Sequence, residues 1–338
     1  MSLFDVDLPL VAAPMAGGVT TPELIAAAMG SGAFAFVPAG YLSAEALRAK
    51  LGDVHAEGYR PGVNLFVPGS AAMPREAFDG YRRELADEAA AVDVTLPVEP
   101  RWEDDAWAAK IELLVREPVP WISFTFGLPP AADADRLRRA GSRLAATVTS
   151  VGEAEAAAAL GLDAVLVQGS AAGGHSAVFD PTATVADRPT EETVAAVRAT
   201  VTLPVVAAGG VDGPAAVARL RAAGAEAVVV GTLLMRTPEA GTSTTHRRAL
   251  ADPRFTDTRV TRAFTGRPAR GLVNGFLERH DAHAPVGYPE VHHLTRELRT
   301  AAAVAGDAER VHLWAGTGWR SAREVAAAEV LADLAQGW

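Results

Sequence analysis

The chain of 338 residues contains no cysteine. Without cysteine there can be no disulfide bonds, no thiolate metal ligands and no cysteine nucleophile. The chain also lacks any apolar run near the ~20 residues of a membrane helix. Its first ten residues carry an early acid and no basic segment, so no signal peptide is expected. These absences predict a cytoplasmic protein that does not enter a membrane.

Acidic residues outnumber basic ones: the chain has 31 lysine and arginine residues and 41 aspartate and glutamate residues, which gives a net charge of −10. This balance does not favour binding to nucleic acid or to an anionic membrane. Three common signatures are missing at strand–helix junctions: the Gly-x-Ser-x-Gly elbow, the P-loop and Gly-x-Gly-x-x-Gly. Hydrolase triads and Walker-type nucleotide binding therefore have no support in the sequence.

What the sequence does contain is a repeated strand pattern. Eight short apolar runs lack strict alternation, as expected for strands that are buried on both faces. Helix-like segments follow most of them, and this order predicts an α/β fold in which eight strands close into a (β/α)8 TIM barrel. A doubly wound open sheet is the main alternative. The runs are residues 10–15, 33–38, 62–67, 121–126, 144–148, 164–168, 204–208 and 227–230.

Several helix-like segments begin with residues that favour a first turn. Pro22 follows Thr21, which is typical of a helix start. Ser43, Ser150 and Thr190 open similar segments, each with a glutamate in the next few positions. We therefore predict helices that start at these four places.

Two segments are longer than the repeating unit of one strand and one helix requires. Residues 68–118 contain two helix-like pieces, over 77–91 and 104–116, where one is expected. Residues 233–338 form a long elaboration with helix-like stretches over 242–251, 290–305 and 321–336, and with loops such as 265–271. We predict a barrel domain over residues 1–232 with a helical insertion, and a mainly helical lid over residues 233–338. The last helix of that lid could return to pack on the barrel.

Paired small residues follow the last two predicted barrel strands. Gly209-Gly210 comes after the seventh strand and Gly231-Thr232 after the eighth. Each pair alone is typical of an ordinary tight turn. In TIM barrels, however, these are the positions where phosphate is often held by backbone N–H groups. Their joint occurrence favours a phosphate site.

Two amide side chains interrupt apolar strands. Asn64 lies inside the third strand and Gln168 ends the sixth. Burying an unpaired amide costs about 1–3 kcal/mol, so each needs a partner. That partner is either a neighbouring backbone group or the polar edge of a bound heterocycle.

His175 follows Gly173-Gly174 after the sixth strand, at the predicted mouth of the barrel. A histidine in a loop is often a surface or packing residue. Here the small residues before it would let the ring project over a flat cofactor. An ordinary pKa of about 6.5 would let it hold a proton for a substrate anion or accept one. We predict that His175 is the principal active-site side chain.

Other polar residues give weaker signals. Four histidines cluster late in the chain, but no HExxH pattern or carboxylate group accompanies them, so no metal site is predicted. Arg267 and Arg270 could contact phosphate, but we expect them to solvate a loop. Tyr288 could line the lid. The four histidines are His280, His283, His292 and His293.

The chain resembles the nitronate monooxygenases, a family of FMN-containing TIM-barrel enzymes. The resemblance runs nearly end to end and depends on the combination of motifs rather than on any single one. The motifs are Ala13-Pro-Met-Ala-Gly-Gly18, Gly62-Val-Asn-Leu-Phe-Val-Pro68, Ser123-Phe-Thr-Phe-Gly-Leu-Pro129, Gln168-Gly-Ser-Ala-Ala-Gly-Gly-His175, Ala207-Ala-Gly-Gly210, Val230-Gly-Thr232 and Thr261-Arg-Ala-Phe-Thr-Gly-Arg-Pro-Ala-Arg270.

This resemblance implies a set of site residues. The family's active-site histidine falls on His175. Its FMN contacts fall on Met15 through the backbone, and on Asn64, Gln168, Gly173, Gly210, Val229, Val230, Gly231 and Thr232.

The chain departs from the family pattern at three places. The family often reads Glu-Ala-Gly-Gly-His where this chain has Ala171-Ala-Gly-Gly-His175, so a carboxylate is lost. Ser176 stands where arginine is common. Val229 stands where glutamine is usual, so only its backbone could contact phosphate. These changes affect the preferred substrate more than the fold.

The resemblance implies FMN-dependent oxidation of an alkyl nitronate by O2 to a carbonyl compound and nitrite. His175 would hydrogen-bond the nitro group, or act as a base on a neutral nitroalkane, while Met15 and Tyr288 would wall the pocket. A homodimer is possible. Two alternatives remain: an NAD(P)H-dependent FMN reductase of quinones or enoyl thioesters, and a non-redox barrel that binds a phosphorylated metabolite.

Overall fold

Eight parallel strands form a closed barrel. The computed structural model describes residues 3–69 and 72–338, so residues 70 and 71 of the predicted insertion lie outside it. In chain order the strands are β1 (Leu10–Ala12), β2 (Phe34–Pro38), β3 (Gly62–Phe66), β4 (Trp121–Thr125), β5 (Arg143–Val148), β6 (Ala164–Gln168), β7 (Gly174–His175), β8 (Val205–Ala208), β9 (Ala227–Val230), β10 (Thr258–Thr261) and β11 (Ala269–Leu272).

The barrel uses all of these strands except β7, β10 and β11, and it closes where β9 pairs with β1. The predicted TIM barrel is confirmed, and the open-sheet alternative is wrong. Between and beyond the strands lie α1 (Pro22–Gly30), α2 (Ala44–Ala56), α3 (Arg75–Glu84), α4 (Ala86–Ala90), α5 (Trp107–Arg116), α6 (Ala131–Arg139), α7 (Val151–Ala159), α8 (Thr190–Thr200), α9 (Pro214–Ala222), α10 (Thr244–Ala249), α11 (Gly275–His280), α12 (Glu290–Ala305) and α13 (Ala327–Ala335).

All four predicted helix starts are confirmed, three of them with a side-chain cap. The side chains of Thr21, Ser43 and Ser150 accept hydrogen bonds from backbone N–H groups in the first turns of α1, α2 and α7. α8 begins at Thr190 as predicted, but its N-cap is Pro189, so no side chain caps this helix. The Thr190 side chain packs over Gly169 at the end of β6, where a Cβ would not fit.

Aromatic side chains fill the N-terminal end of the barrel. Phe4 stacks on Phe34 with ring centroids 4.6 Å apart and meets Trp121 edge-on at 5.2 Å. Gly62 leaves room for Phe36, since a Cβ there would lie 2.5 Å from that ring. Because these residues close one end of the barrel, a ligand has to enter at the carboxyl ends of the strands.

The insertion differs in detail from the prediction. The expected helix over residues 77–91 is broken at Leu85 into α3 and α4. The Leu85 side chain is buried in a second hydrophobic core, which also contains Phe276 and Leu294. α5 begins at Trp107 rather than at residue 104. Ahead of it, the backbone N–H of Ala106 donates a hydrogen bond to the Asp104 carboxylate.

Residues 233–338 contain a small antiparallel sheet besides helices. β10 pairs with β11, which also pairs with β7 in the loop that follows β6. The prediction of a loop over 265–271 is therefore wrong for residues 269–271, which belong to β11. α13 begins at Ala327 rather than at Ser321 and packs against α1 and α9. None of the helices in residues 3–69 and 72–338 has both the length and the apolar character needed to cross a bilayer.

Candidate active site

A cavity of about 740 Å³ opens at the carboxyl ends of the barrel strands. Its walls come from the turns after the strands and from residues 233–338. All ten residues predicted for the site line this one cavity: Met15, Asn64, Gln168, Gly173, His175, Gly210, Val229, Val230, Gly231 and Thr232.

Free backbone donors lie at the turns after β8 and β9. Gly209 and Gly210 have φ angles of +108° and +76°, which favour glycine. No group among the described residues accepts a hydrogen bond from the N–H of Gly209, Gly210, Gly231 or Thr232. A Cβ on Gly231 would come within 3.3 Å of the Ala13 Cβ, so the glycine keeps this turn open. These four residues, here called the phosphate cradle, fit a phosphate group.

The two strand amides have different partners. Asn64 is 2% exposed, and its Nδ2 donates to Ser123 Oγ and Thr125 Oγ1, both at 2.9 Å. No described group donates to Asn64 Oδ1, which leaves an acceptor for the edge of a heterocycle. Gln168 instead bonds the backbone: Nε2 donates to the His175 carbonyl at 3.0 Å, and Oε1 accepts from Ala177 N at 2.7 Å. Gln168 therefore holds the loop that carries His175.

The loop between β6 and β7 is fixed from the outside by the C-terminal part of the chain. Gly173 packs so tightly that a Cβ would lie 2.4 Å from Gly316 N. The Thr317 N–H donates to the Ala171 carbonyl at 3.0 Å, and Gly316 N donates to Thr232 Oγ1 at 3.0 Å. No prediction from the sequence covers this closing segment, although its pair of glycines, Gly316 and Gly318, is a usable signal.

His175 is surrounded by aromatic rings. The ring centroids of Phe126, Tyr288 and Trp314 lie 5.7, 5.7 and 5.6 Å from that of His175. Its Nε2 lies 2.9 Å from Thr265 Oγ1. The imidazole is therefore held in one orientation by packing and by one hydrogen bond.

The pKa of His175 is far from its ordinary value. Burial, with the nearby guanidinium groups of Arg267 and Arg299, lowers the pKa of His175 to about 3. The ring is therefore neutral at physiological pH, with one nitrogen as donor and the other as acceptor. The expectation of an ordinary pKa near neutrality is wrong, because the site is apolar and already cationic.

The two loop arginines do not behave as expected. Arg267 is only 4% exposed; its guanidinium carbon lies 4.0 Å from the Phe126 ring centroid, and Nη2 donates to the Val178 carbonyl. Arg270 donates to the Ser170 carbonyl at 2.7 Å. Both hold protein carbonyls rather than solvating a loop, because residues 263–269 of that loop are buried.

Three further side chains of the site were missed. Tyr41, His292 and Arg299 line the cavity. The Tyr41 and His292 rings stack at 4.3 Å, and Tyr288 donates a hydrogen bond to Tyr41 Oη at 3.1 Å. The signal for Arg299 was a charged residue on the apolar stripe of α12, four positions after a buried threonine.

The late histidines His280 and His293 form contacts with carboxylates. His280 contacts Glu84 and Glu88, while His293 contacts Glu103. In the described part of the chain, no group of three or more histidine, aspartate or glutamate side chains is arranged to hold a metal ion.

A TIM barrel with a phosphate cradle, a buried asparagine and a neutral histidine at its mouth has the architecture of a cofactor-dependent barrel enzyme. The family model for nitronate monooxygenase matches residues 2–337. The chain therefore belongs to the nitronate monooxygenase family, a family of flavin-dependent oxidoreductases. The resemblance seen in the sequence is confirmed, and the protein is an enzyme.

Known relatives span nearly the whole chain. A probable nitronate monooxygenase of Staphylococcus saprophyticus is 36% identical over 333 residues, covering 96% of this chain and 93% of the relative. One from Staphylococcus aureus is 33% identical over 338 residues, covering 98% and 94%. The structure of a nitroalkane oxidase from Streptomyces ansochromogenes is 45% identical with a TM-score of 0.95, covering 99% and 98%. FabK from Thermotoga maritima, at 23% identity and a TM-score of 0.76, covering 99% and 94%, shares the fold.

Proposed function

We propose that the protein oxidises alkyl nitronates with O2, giving a carbonyl compound and nitrite, and that its flavin is FMN. The observation that carries this proposal is the buried positive charge beside His175. Arg267 and Arg299 are buried near His175, and no described carboxylate forms an ion pair with either. Burial lowers the pKa of each guanidinium to about 10, so both stay protonated at neutral pH. Such a site favours an anionic substrate.

The residues of the cavity fit FMN. The phosphate cradle would bind the phosphate group, and Asn64 Oδ1 would accept from the ring edge. Met15 and Gly173 would contact the ring, while Gln168 would fix the loop beside it. When bound, the flavin supplies the electron acceptor that amino-acid side chains lack.

His175 suits a substrate that is already an anion. With a pKa of about 3, its neutral ring is a weak base for removing a proton from a nitroalkane carbon. It can donate a hydrogen bond to a nitronate oxygen through Nδ1 in the tautomer in which the Thr265 hydroxyl donates to Nε2. A bound anion also raises the pKa of a nearby histidine, which strengthens that bond.

The walls of the pocket indicate small alkyl groups. Met15, Phe66, Phe126 and Trp314 line the cavity and offer apolar surface. Tyr288 contacts the Phe126 and His175 rings from behind. We propose that residues 233–338 act as the lid on this barrel, since α12 and the segment around Trp314 cover its mouth. We also propose a cytoplasmic homodimer, which sedimentation of the purified protein tests.

The test is an anaerobic mixing experiment with the FMN-loaded protein. Added alkyl nitronate should bleach the flavin spectrum, and nitrite should appear when air enters. Bleaching by NADH or NADPH but not by nitronate would replace the proposal with a reductase. A protein that cannot bind FMN at all would favour a barrel for a phosphorylated metabolite.

A further inference from the structure

We infer that the cavity contains a second anion site, formed by Arg299 and Tyr41, that binds the oxygen atoms of a small planar oxyanion. This inference rests on the proposed function, in which that oxyanion is the nitronate group. It assigns the recognition of charge to Arg299 rather than to His175.

Arg299 is a fixed cation that has no carboxylate partner among the described residues. It is 4% exposed and lies on the apolar stripe of α12, facing the cavity. Its Nε donates to Thr295 Oγ1 at 3.0 Å, and Nη2 donates to the His292 carbonyl at 3.0 Å. No described group accepts from Nη1, and no described carboxylate pairs with the guanidinium. A buried charge without a partner is costly, and a bound anion would relieve that cost.

Tyr41 supplies a second free donor. Tyr288 donates to its Oη at 3.1 Å, so the proton of Tyr41 itself has no acceptor among the described residues. The ring is held in place by stacking on His292, with 4° between the planes. The backbone N–H of Tyr41 donates to Asp105 Oδ1 at 2.7 Å, which fixes the turn after β2 at a φ of 68°.

The site is separate from the phosphate cradle. Tyr41 follows β2, whereas the cradle follows β8 and β9, and β1 lies between β9 and β2 in the barrel. One ligand can therefore place a phosphate at the cradle while a second anion occupies Arg299 and Tyr41. A guanidinium and a hydroxyl donating to two oxygens would fix the plane of a nitronate. The same donors would bind its neutral conjugate acid less well.

Nitrate is a suitable probe, because it is a planar oxyanion whose binding does not require turnover. The FMN-loaded protein is titrated with sodium nitrate, and the dissociation constant is read from the change in the flavin spectrum. Arg299→Gln should raise this constant about tenfold to a hundredfold. Tyr41→Phe keeps the stacked ring and should raise it about two- to tenfold. Arg248→Gln, a change at an exposed arginine on α10, is the control and should leave it unchanged.

Three results would overturn the inference. The first is a wild-type protein that does not bind nitrate. The second is a nitrate affinity that is unchanged in both Tyr41→Phe and Arg299→Gln. The third is a loss of FMN affinity in Arg299→Gln without a change in nitrate affinity. The last result would assign the guanidinium to the flavin. The proposed function is tested separately, since nitronate turnover can fail while nitrate binding still depends on Arg299.

Discussion

The neighbours of His175 determine what its imidazole can do. Phe126, Tyr288 and Trp314 exclude water, and Arg267 and Arg299 add positive charge. The neutral ring that results can act as a hydrogen-bond donor through one nitrogen only. Which nitrogen carries the proton depends on the bond to Thr265. The Thr265 hydroxyl therefore determines which nitrogen of His175 can donate to a ligand.

Removing that hydroxyl should lower activity without affecting the cofactor. Thr265→Val keeps the shape but leaves His175 Nε2 without its partner at 2.9 Å. We expect kcat for nitronate oxidation to fall about tenfold, measured by oxygen consumption. Flavin absorbance per protein should be unchanged. Thr265→Ser restores the hydroxyl and should recover most of the rate; equal loss in both variants would contradict the role of this bond.

The pH profile of the free enzyme should show no titration of His175 near neutrality. Its pKa of about 3 lies well below the ordinary value. For a nitronate substrate, kcat/KM reports groups of the free enzyme, so it should stay level between about pH 5.5 and 8. Steady-state rates across this range provide the measurement. A limb with an apparent pKa near 6.5 would show that His175 is accessible to water.

At the scale of elements, the sequence predicts the barrel strands better than the elements of residues 233–338. The apolar runs identify all eight barrel strands, because strands covered on both faces contain little else. β10 and β11 escape prediction because they are four residues long and include arginine and glycine. The break at Leu85 depends on a core shared with Phe276, which lies far along the chain.

In the site too, features set by adjacent residues are predictable from the sequence, whereas features set by residues far along the chain are not. Small residues after β6, β8 and β9 identify the phosphate cradle and His175, since these signals are contained within single turns. The sequence alone could not give the pKa of His175, which depends on arginines from the loop before β11 and from α12. The expectation for Arg267 is wrong for the same reason: a loop that looks exposed in the sequence is buried in the fold.

The phosphate cradle should not tolerate a side chain at Gly210. This residue has a φ of +76°, and Gly210→Ala would strain the turn after β8. We expect the flavin content of the purified protein to drop severalfold. Gly306→Ala is the matched control, because Gly306 has a φ of +75° at the end of α12, with open space around it. That variant should lose stability but keep its flavin.

α5 contributes a buried ion pair beneath the turn that carries Tyr41. Lys110 is 1% exposed; its Nζ lies 2.7 Å from Asp105 Oδ2 and donates to the Ala39 carbonyl at 2.8 Å. Lys110→Met would leave the Asp105 carboxylate without its cation and should cost about 3 kcal/mol of unfolding free energy, measured by urea denaturation. The double variant with Asp105→Asn should recover much of this loss, since neither charge remains.

For the whole molecule, buried histidines predict acid sensitivity. Burial lowers the pKa of His175 to about 3 and of His246 to about 4, and lowers those of His292 and His312 well below the ordinary value. In the unfolded chain these groups bind protons near pH 6.5, so unfolding takes up protons at acid pH. Stability is therefore fully present above about pH 6.5 and should fall as the pH decreases, by up to ~1.4 kcal/mol per histidine per pH unit.

Thermal melts between about pH 7.5 and 5 check this expectation. His246→Gln removes one titrating group while its amide can still donate to the Trp314 carbonyl, now 3.0 Å from His246 Nε2. This variant should show a shallower fall of Tm with decreasing pH. An identical pH dependence in the variant and the parent would contradict the assignment.

The pairing of β7 with β11 joins His175 to a segment that lies almost a hundred residues further along the chain. The last of the eight barrel strands ends at Val230. The barrel and the segment that holds the His175 loop in place therefore come from different parts of the sequence. Evolution can therefore alter the chemistry of such a barrel by changing a region that the barrel does not need in order to close. Duplicated copies could diverge in activity through their final third while inheriting the same scaffold.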